Sequence, residues 1–382
     1  MLIPYGKQYI DDSDINAVIS VFKSNYITQG PKIHEFENAI CEYTGAEYCI
    51  AVSNGTAALH LSVKALELEK KSVGITSPIS FVASSNCLIY SGLIPKFVDI
   101  NTKTYNIDPD LISSSVTENT KLIIPVHFAG QPADMEKIYQ LGQANDLYII
   151  EDAAHAIGSG YENGKKVGSC MFSDMTIFSF HPVKTVTTIE GGAITTNNKL
   201  FYDRLQLLRN HGITKSPELL SSNPGPWFYE MQSLGFNYRM TDVQAALGIN
   251  QLNRIEKYIE RRRDIIKTYN KAFEKVDWLT TPFERKEIFS AFHLYVLQFD
   301  FVKLDKSRKQ VMIELRDKGI GTQVHYIPIY WQPYYQKNYN TKKGDCPLAE
   351  KYYQNTLSLP LYPAMTNENV EYVIENILML NN

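Results

Sequence analysis

Residues 176–197 read TIFSFHPVKTVTTIEGGAITTN, and they join two short β-rich runs through a turn. The first run ends at Phe180, a turn containing Pro182 follows, and Lys184 comes directly afterwards. The glycine pair at 191–192 then leads into the second run, AITT. We therefore expect two strands of one sheet here, with Lys184 presented where the first strand ends.

Outward from this stretch, residues 47 to 200 alternate β-rich runs with helical patterns. The β-rich runs are EYCIAVS, PKFVDI, KLIIPVHF, LYIIED, MTIFSF and GGAITT. Between them lie helical patterns such as TAALHLSVKAL and DMEKIYQLGQAN. Alternation of this kind predicts an α/β fold, in which a mostly parallel sheet carries helices on its faces.

The N-terminal 45 residues predict helices instead of strands. Ser13 can cap a helix whose apolar residues recur at helical spacing, namely Ile15, Val18, Ile19 and Phe22. We expect these helices to pack on the sheet or on a partner subunit.

The C-terminal third predicts a second, smaller unit. From Thr241 the sequence TDVQAALGINQLNRIEKYIERRRDIIKTYNKAF is typical of one long helix that bridges two domains. Beyond it, AFHLYVLQF, KSRKQVMIELRDKG and TQVHYIPIY have the strand, helix, strand order of a small α+β unit. We therefore predict a large domain over residues 1–250 and a small domain over residues 251–382.

The composition is that of an ordinary globular protein, with 44% hydrophobic and 21% charged residues. A net charge of −3 gives no reason to expect a nucleic-acid partner. The five cysteines are far apart and form no CxxC pair, so neither a disulfide framework nor a metal site is expected. Since the sequence also has no leader-like start and no long apolar run, we expect a cytoplasmic protein without a membrane segment.

The setting of Lys184 favours a nucleophilic amine. Apolar and hydroxyl side chains surround it in the sequence, and desolvation lowers the pKa of a lysine from its usual value of about 10.4. Such an amine can attack an aldehyde. A single lysine in a turn is, however, most often a solvated surface cation.

The segment LYIIEDAAHAIGSGY, residues 147–161, is a buried strand that delivers acidic groups to the carboxyl edge of the sheet. A carboxylate there can keep a pyridine nitrogen protonated, and we assign this role to Asp152. Glu151 would point to the opposite face, because successive strand residues alternate. Asp152 could instead cap the turn that follows.

The segment AVSNGTAALHL, residues 51–61, is typical of a strand, a turn and a helix. The N–H groups at the start of such a helix, with the hydroxyl of Thr56, suit a phosphate. A plain helix cap is the alternative. A lysine, a pyridinium partner and a phosphate cup would then meet at one edge of the sheet.

At these residues the chain resembles the sugar aminotransferases of the DegT/DnrJ/EryC1/StrS family, which are fold-type-I enzymes dependent on pyridoxal 5′-phosphate. The resemblance runs from Tyr5 to about Tyr362, through TQGPKIHEFE, SNGTAALHL, PISFVASSN, EDAAHAIGS, SFHPVKTVTTIEGGA, GFNYRMTDVQAALG and QVHYIPIY. Within the family, SFHPVKTVTT and QVHYIPIYWQPYY are most similar to the aminotransferase of the pseudaminic-acid pathway. The resemblance implies a large, seven-stranded, mostly parallel sheet domain with helices on both faces, followed by a smaller α+β domain.

The resemblance also implies roles for the residues around the cofactor. Lys184 would carry pyridoxal phosphate as a Schiff base and act as the catalytic residue, and Asp152 would face the pyridine nitrogen. His155 would lie near the phenolic oxygen of the cofactor. Phe81 would stack on its ring, although a phenylalanine there can equally belong to the core.

The phosphate of the cofactor would be held by Ser179, by Thr56 and by the N–H of Ala57. Asn237 and Arg239 match a loop that, in this family, reaches across a dimer to the partner's cofactor or substrate. The resemblance leaves open which of these two contacts the phosphate, and Arg239 could meet the phosphates of the substrate.

The remaining implied residues belong to the small domain. His325, Tyr326 and Tyr330 match the substrate-side motif of the family. A histidine among aromatic residues is more often packed in a core.

By resemblance, the chain is a homodimer that moves an amino group from an amino acid, by family habit L-glutamate, and releases 2-oxoglutarate. The acceptor would be the C4 keto group of a UDP-linked 4-keto-6-deoxy-N-acetylhexosamine. Other nucleotide keto sugars stay open, including precursors of perosamine, of bacillosamine-type sugars and of dTDP-linked amino sugars. A non-enzymatic regulatory protein is disfavoured, because the chain has no basic recognition helix and its net charge is −3.

Overall fold

The computed structural model describes residues 2–381 of the chain, and it has a large sheet near its centre. Within those residues the sheet has seven strands, which are β1 (Tyr48–Val52), β2 (Val73–Thr76), β3 (Ile94–Phe97), β4 (Thr120–Ile124), β5 (Tyr148–Asp152), β6 (Met175–Ser179) and β7 (Gly192–Thr196). Their spatial order is β1-β7-β6-β5-β4-β2-β3. The predicted α/β fold with a mostly parallel sheet is confirmed.

One reversed strand decides where the strand ends meet. β7 pairs antiparallel with both β1 and β6, whereas the other neighbouring strands pair in parallel. Because β1 and β6 both oppose β7, they run in the same direction. Every strand except β7 therefore delivers its carboxyl end to the same edge of the sheet, which is where open α/β sheets bind ligands.

Helices cover both faces of this sheet. The helices of the chain are α1 (Asp12–Phe22), α2 (Pro31–Thr44), α3 (Gly55–Ala65), α4 (Ala83–Tyr90), α5 (Pro109–Ser115), α6 (Met135–Asn145), α7 (Lys199–Arg209), α8 (Asp242–Leu252), α9 (Ile255–Phe273), α10 (Arg308–Asp317), α11 (Pro333–Tyr339), α12 (Pro347–Asn355) and α13 (Asn367–Leu378). One core layer contains Phe36 of α2, Ile138 of α6 and Ala245 of α8. The other contains residues of α3, α4 and α7, such as Leu88 and Leu205.

The remaining strands lie outside the large sheet. A short hairpin pairs β8 (Ile213–Thr214) with β9 (Glu230–Met231), and an antiparallel sheet orders β10 (Leu279–Thr280), β11 (Tyr295–Phe299) and β12 (Thr356–Leu359). Residues of α9, α10 and α13 share a separate core with this second sheet, and Ile3 from the N-terminus joins it. The C-terminal unit therefore has the expected α+β character. The division at residues 250 and 251 stays a prediction.

The prediction of one long helix from Thr241 is wrong, because the helix breaks at Asn253 and Arg254. Arg254 leaves the helical conformation, and its guanidinium pairs with both Asp11 and Asp14 at the start of α1. This tertiary contact overrides a local sequence that is helical on both sides of the break.

After the break, α9 contacts both cores. Ile255 and Ile259 belong to the core of the large sheet. Ile265 and Tyr269 belong to the C-terminal core. The second half of the predicted long helix therefore bridges the two units.

The cap of α1 is also different from the predicted one. Asp11 is the N-cap, and its carboxylate accepts hydrogen bonds from the N–H groups of Ser13 and Asp14. Asp14 returns a bond to the N–H of Asp11, which completes a capping box. Ser13 lies inside the first turn instead. Among residues 2–381, no helix combines the length and the apolar character that crossing a membrane requires.

A buried ion pair links α2 to α7, and its carboxylate also bonds to the backbone of β1. This pair can be used to test the fold. Glu37 Oε1 lies 2.5 Å from Arg209 Nη1 and accepts the N–H of Ala51 at 2.9 Å. Both side chains are almost fully buried. We expect Glu37→Ala to lower the free energy of unfolding by about 3–5 kcal/mol, because Arg209 would stay buried without its partner.

Urea unfolding followed by circular dichroism measures this change. Glu35→Ala is the matched control, since Glu35 lies on the same helix and pairs with Lys32 at the surface. It should leave the midpoint unchanged. Equal midpoints for the two variants would contradict a structural role of the buried pair.

Candidate active site

A cavity of about 960 Å³ opens at the carboxyl edge of the large sheet. The elements that line it are the ends of β5 and β6, the start of α3, the turn before α4 and the segment 323–327 of the C-terminal unit. The structure brings most of the predicted site residues to this cavity, namely Thr56, Ala57, Phe81, Asp152, His155, Ser179, Lys184, His325 and Tyr326.

Lys184 lies in the turn after β6, where its N–H donates to the carbonyl of His181 at 2.9 Å. Its side chain is partly buried in the cavity wall. Desolvation lowers the pKa of Lys184 to about 8, and the nearby carboxylate of Asp152 opposes part of this shift. The amine is therefore neutral far more often at neutral pH than an ordinary lysine, as a nucleophile requires.

Asp152 ends β5 and is almost fully buried. Its Oδ2 accepts a hydrogen bond from Ser84 Oγ at 2.6 Å, and its Oδ1 accepts the N–H of Ala154 at 3.1 Å. The bond to Ala154 is the turn cap that was the alternative interpretation of Asp152. Asp152 therefore caps this turn and also lines the cavity. Ser84 lies in the first turn of α4, and its Oγ is also 2.6 Å from Ser80 Oγ; this contact of Asp152 was not predicted.

Glu151 points away from the cavity, as strand alternation predicts. It is fully buried on the other face, where it lies 2.7 Å from His127 Nε2 and accepts bonds from Ser173 and Thr176. The two adjacent carboxylates therefore have separate surroundings.

The start of α3 offers free donors to the cavity. Asn54 caps the helix, and its side chain accepts the N–H of Ala57 at 2.8 Å, so that this N–H is not free for a phosphate as predicted. Within residues 2–381, the N–H groups of Gly55 and Thr56 and the hydroxyls of Thr56 and Ser179 have no hydrogen-bond partner. These four donors form a cup for an anion.

Gly55 is needed for this cup, because a side chain there would not fit. A Cβ on Gly55 would lie 2.9 Å from Ser179 Cβ, which is closer than real Cβ contacts allow. The absence of a side chain thus lets the first turn of α3 approach the end of β6.

Histidines form the wall opposite α3. His155 Nε2 lies 3.1 Å from the hydroxyl of Tyr326, and the His155 ring lies 4.5 Å from that of His293. His325 Nδ1 lies 2.8 Å from Ser358 Oγ. His293 was not predicted, because a single histidine before a strand carries no sequence signal of its own.

All three histidine rings are neutral at physiological pH. Burial, together with the charges of Lys184 and His325, holds the pKa of His155 well below its usual value. Burial lowers the pKa of His325 to about 3, and Lys184 adds to this shift. Burial holds the pKa of His293 well below its usual value, and His155, Lys184 and Arg262 add to this shift.

The buried Nδ1 atoms of His155 and His293 have no hydrogen-bond partner within the described residues. Unpaired polar atoms of this kind are costly unless a ligand or a water satisfies them. They are consistent with a polar group that enters the cavity.

Phe81 lies at the mouth of the cavity with 60% of its surface exposed. This position excludes the alternative that it belongs to the core. An exposed aromatic ring above a polar cavity suits stacking on a planar ligand. Tyr5, which the sequence analysis did not select, also lines the cavity.

Three predicted residues do not line the cavity. Tyr330 is fully buried, and its hydroxyl donates to Glu350 and to the carbonyl of Cys346, so it packs in the C-terminal unit. Arg239 donates to Asn210 Oδ1 at 2.6 Å, and Asn237 pairs with the same residue through its backbone. The residue between them, Tyr238, is the one that faces the cavity of its own chain.

These groups fit pyridoxal phosphate. The donors at Gly55, Thr56 and Ser179 suit a phosphate, the carboxylate of Asp152 suits a pyridinium nitrogen, and the amine of Lys184 suits an aldehyde. No group of acidic, histidine or cysteine side chains among residues 2–381 has the arrangement of a metal site.

The comparisons with known proteins agree with this site. A model of the DegT/DnrJ/EryC1/StrS aminotransferase family matches residues 8–378. The spore coat polysaccharide biosynthesis protein SpsC of Bacillus subtilis is 40% identical over 376 residues, which are 98% of this chain and 96% of SpsC. The UDP-4-amino-4,6-dideoxy-N-acetyl-beta-L-altrosamine transaminase of Campylobacter jejuni is 36% identical over 384 residues, 99% of this chain and 97% of the relative.

Solved structures superpose over the whole chain. PseC of Helicobacter pylori, an aminotransferase involved in the biosynthesis of pseudoaminic acid, has a TM-score of 0.92 at 32% identity and covers 100% of this chain and 99% of its own. The PLP-form of the sugar aminotransferase Spr1654 from Streptococcus pneumoniae has a TM-score of 0.91 at 31% identity, with coverage of 100% and 99%.

Fold and comparisons together define an aminotransferase of fold type I. The chain belongs to the DegT/DnrJ/EryC1/StrS aminotransferase family, and it is a sugar aminotransferase of that family. The resemblance drawn from the sequence is confirmed.

The pKa of Lys184 generates a test on the cofactor-free protein. Only the neutral amine reacts with acetic anhydride, so the labelling rate of Lys184 should rise with pH and level off just above its pKa of about 8. An ordinary lysine would still gain reactivity up to about pH 10. Competitive labelling read by mass spectrometry gives this profile.

Asp152→Asn provides the second measurement. The carboxylate raises the pKa of Lys184, so its removal should move the midpoint to lower pH. A midpoint near 10 in the wild-type protein, or an upward shift in the variant, would contradict the proposed electrostatics of the cavity.

Proposed function

We propose that this chain binds pyridoxal 5′-phosphate at Lys184 and transfers an amino group to the C4 keto group of a UDP-linked 4-keto-6-deoxy-N-acetylhexosamine. The amino donor is an amino acid, with L-glutamate the first choice, and the product belongs to pseudaminic-acid-type nucleotide sugar biosynthesis. The observation that carries the proposal is the conjunction of a desolvated Lys184, a buried Asp152 and the free donors of α3 in one cavity.

The cofactor supplies, when bound, an electron sink and a carrier for the amino group. Asp152 would hold a proton at the pyridine nitrogen, and the hydrogen bond from Ser84 Oγ would keep that carboxylate oriented toward the cavity. His155, being neutral, can share a hydrogen bond with the ring oxygen of the cofactor without adding charge. Phe81, exposed at the cavity, would stack on a planar ring.

Lys184 has two tasks, which its pKa of about 8 allows. It could attack an aldehyde as a neutral amine, and it could accept and return a proton at the donor's Cα as general base and acid. A group with a pKa near the working pH is best suited to accept and return a proton. Its position beside the reacting atoms adds the advantage of proximity.

The choice of sugar rests on the relatives. The similarity to the altrosamine transaminase of C. jejuni and to PseC supports a UDP-linked 4-keto sugar. A second candidate is another nucleotide keto sugar, because the chain is more similar to SpsC, a protein of spore coat polysaccharide biosynthesis, than to the altrosamine transaminase. On the sugar side, His325 and Tyr326 line the cavity and can contact hydroxyl or acetamido groups.

The acceptor prediction is tested by incubation with L-glutamate and a panel of nucleotide keto sugars, followed by mass spectrometry of the product. The wild-type protein should aminate the UDP-linked 4-keto sugar. Lys184→Ala should lower the rate by about 10²- to 10⁴-fold or more, since it removes the proton-transferring group. Lys257→Ala, an exposed site on α9, is the control and should keep full activity.

Borohydride reduction gives an independent readout of the cofactor. In the wild-type protein it should fix the mass of the reduced cofactor on the peptide that contains Lys184. Normal transamination by Lys184→Ala would refute the lysine assignment, and amination of only a different sugar would favour the second candidate.

We further propose that the chain acts as a homodimer. The apolar stripe of α1 formed by Ile15, Ile19 and Phe22 is exposed in the single chain, and so is Trp227 in the loop between β8 and β9. Exposed apolar surface on this scale marks protein interfaces. Asn237 and Arg239, which lie beside the cavity of their own chain, would then serve the partner's site.

Mixing two inactive variants tests the shared site. If Asn237 and Arg239 act in the partner's cavity, co-refolded Lys184→Ala and Asn237→Ala/Arg239→Ala chains should regain about a quarter of wild-type activity, because about half of the dimers carry one intact site. Light scattering should give the mass of a dimer for both variants. If the mixed chains form dimers but regain no activity, Asn237 and Arg239 act in the site of their own chain.

A further inference from the structure

Two serine hydroxyls from the segment PISFVASSN, residues 78–86, lie in a row beside the carboxylate of Asp152. Ser84 Oγ lies 2.6 Å from Asp152 Oδ2, and Ser80 Oγ lies 2.6 Å from Ser84 Oγ. Within residues 2–381, Ser84 is the only side chain that donates a hydrogen bond to Asp152. We call Ser80 and Ser84 the serine pair, and both of them line the cavity that contains Lys184.

The start of α4 fixes the serine pair in place. Ser84 belongs to the first turn of this helix, and Ser80 precedes it by four residues. The N–H of Ser84 donates to the carbonyl of Phe81 at 3.3 Å, and the N–H of Asn86 donates to the carbonyl of Val82 at 2.8 Å. The same turn carries Phe81 at the mouth of the cavity, so one short segment supplies both the exposed ring and the serine pair.

The direction of the hydrogen bonds follows from a count of the donors. A serine hydroxyl has one hydrogen and two lone pairs, whereas an ionised carboxylate can only accept. The hydrogen of Ser84 therefore points to Asp152, which is a closer and stronger acceptor than the carbonyl of Phe81 at 3.3 Å. Ser84 Oγ can then only accept, so the hydrogen of Ser80 points to Ser84. Both hydroxyl dipoles are thus aligned toward the carboxylate.

This alignment stabilises the negative charge of Asp152. Hydrogen bonds in a chain polarise one another, and they are stronger where little water competes. Asp152 and both members of the serine pair are almost fully buried. Burial alone favours the neutral form of a carboxylate, and donated hydrogen bonds favour its charged form. The serine pair therefore opposes the effect of burial on Asp152.

We infer that Ser80 and Ser84 are positioning residues that act through Asp152 to keep the proton on the pyridine nitrogen, an inference that rests on the proposed function. One proton is shared between that nitrogen and the carboxylate, and it lies on the more basic of the two. Hydrogen bonds donated to the carboxylate make it less basic, so the serine pair directs the proton to the nitrogen. A protonated nitrogen is what an electron sink requires.

The test uses the full chain loaded with pyridoxal phosphate that is isotopically labelled at the ring nitrogen. Nuclear magnetic resonance of this nitrogen reports where the proton lies, which a change in packing alone would not alter. The variants are Ser84→Ala, Ser80→Ala and the double variant. Ser85→Ala is the matched control, because it removes the hydroxyl of the next buried serine of α4, which does not line the cavity.

The variants should differ in a defined order. In Ser84→Ala the ratio of protonated to unprotonated ring nitrogen should fall about tenfold or more, because a charge-assisted hydrogen bond to the carboxylate is lost. Ser80→Ala should lower this ratio about threefold, since it removes only the polarisation of that bond. The double variant should equal Ser84→Ala, because Ser80 has no other hydrogen-bond partner within residues 2–381. Ser85→Ala should give the wild-type signal.

The half-reaction with L-glutamate provides a second readout. The kcat for release of 2-oxoglutarate should fall in the same order of variants, and the KM for L-glutamate should stay unchanged, because the serine pair acts on the reacting ring and touches no part of the amino acid. A rise in KM with an unchanged kcat would contradict this role.

Two further results would overturn the inference. One is a loaded Ser84→Ala protein with the wild-type nitrogen signal, and the other is an effect of Ser80→Ala that persists in full when Ser84 is already replaced. If Ser84→Ala fails to bind the cofactor, Ser80→Ala decides, since it leaves the bond between Ser84 and Asp152 in place, and a wild-type signal from it would refute the inference. Failure of the proposed function has a different signature, in which borohydride fixes no cofactor on Lys184 of the wild-type protein.

Discussion

The carboxylate of Asp152, buried at the carboxyl end of β5, is the constraint on which the cavity depends. A buried charge is tolerated only where hydrogen bonds and an opposite charge replace water. Ser84 and the N–H of Ala154 supply the bonds, and Lys184 supplies the opposite charge. Ser84 comes from α4 and Lys184 from the turn after β6, so satisfying one carboxylate fixes two segments that are far apart in the sequence.

The electrostatics of the opposite wall follow from the same requirement. Lys184 is desolvated, but with a pKa of about 8 it is mostly protonated at neutral pH, and a second cation beside it would be costly. The histidine rings at 155, 293 and 325 are neutral for this reason as well as through burial. They can therefore orient a polar ligand without adding a charge that would alter the electrostatic interaction between Lys184 and Asp152.

The sequence predicts those parts of the fold and site that depend on short-range pattern. Asp152 and Ser179 end their strands, and Thr56 and Lys184 lie in the segments that follow strand ends. Parallel strands place such ends at one edge of the sheet. The two-residue period of a strand is enough to predict that the side chains of Glu151 and Asp152 in β5 point to opposite faces of the sheet.

The parts that depend on distant contacts were not predictable in this way. The break after α8 arises from Arg254, whose partners at Asp11 and Asp14 are more than two hundred residues away. His293 and Tyr5 reach the cavity through the packing of the C-terminal unit, which no local pattern specifies. Tyr330 shares a motif with His325 and Tyr326, yet the short helical turn at Ile329–Trp331 directs it into the core.

The position of His293 explains how the two units form one wall. Its N–H donates to the carbonyl of Ala129 at 2.8 Å, which belongs to the loop after β4 of the large sheet. Its carbonyl accepts a bond from Arg262 of α9 at 3.1 Å, and Arg262 also donates to the carbonyl of Leu361. Arg262 is fully buried, and burial lowers its pKa to about 10, so its guanidinium stays charged at neutral pH. Losing either carbonyl would cost this buried charge one of its two acceptors. The backbone of His293 is thus held at its N–H by Ala129 and at its carbonyl by Arg262.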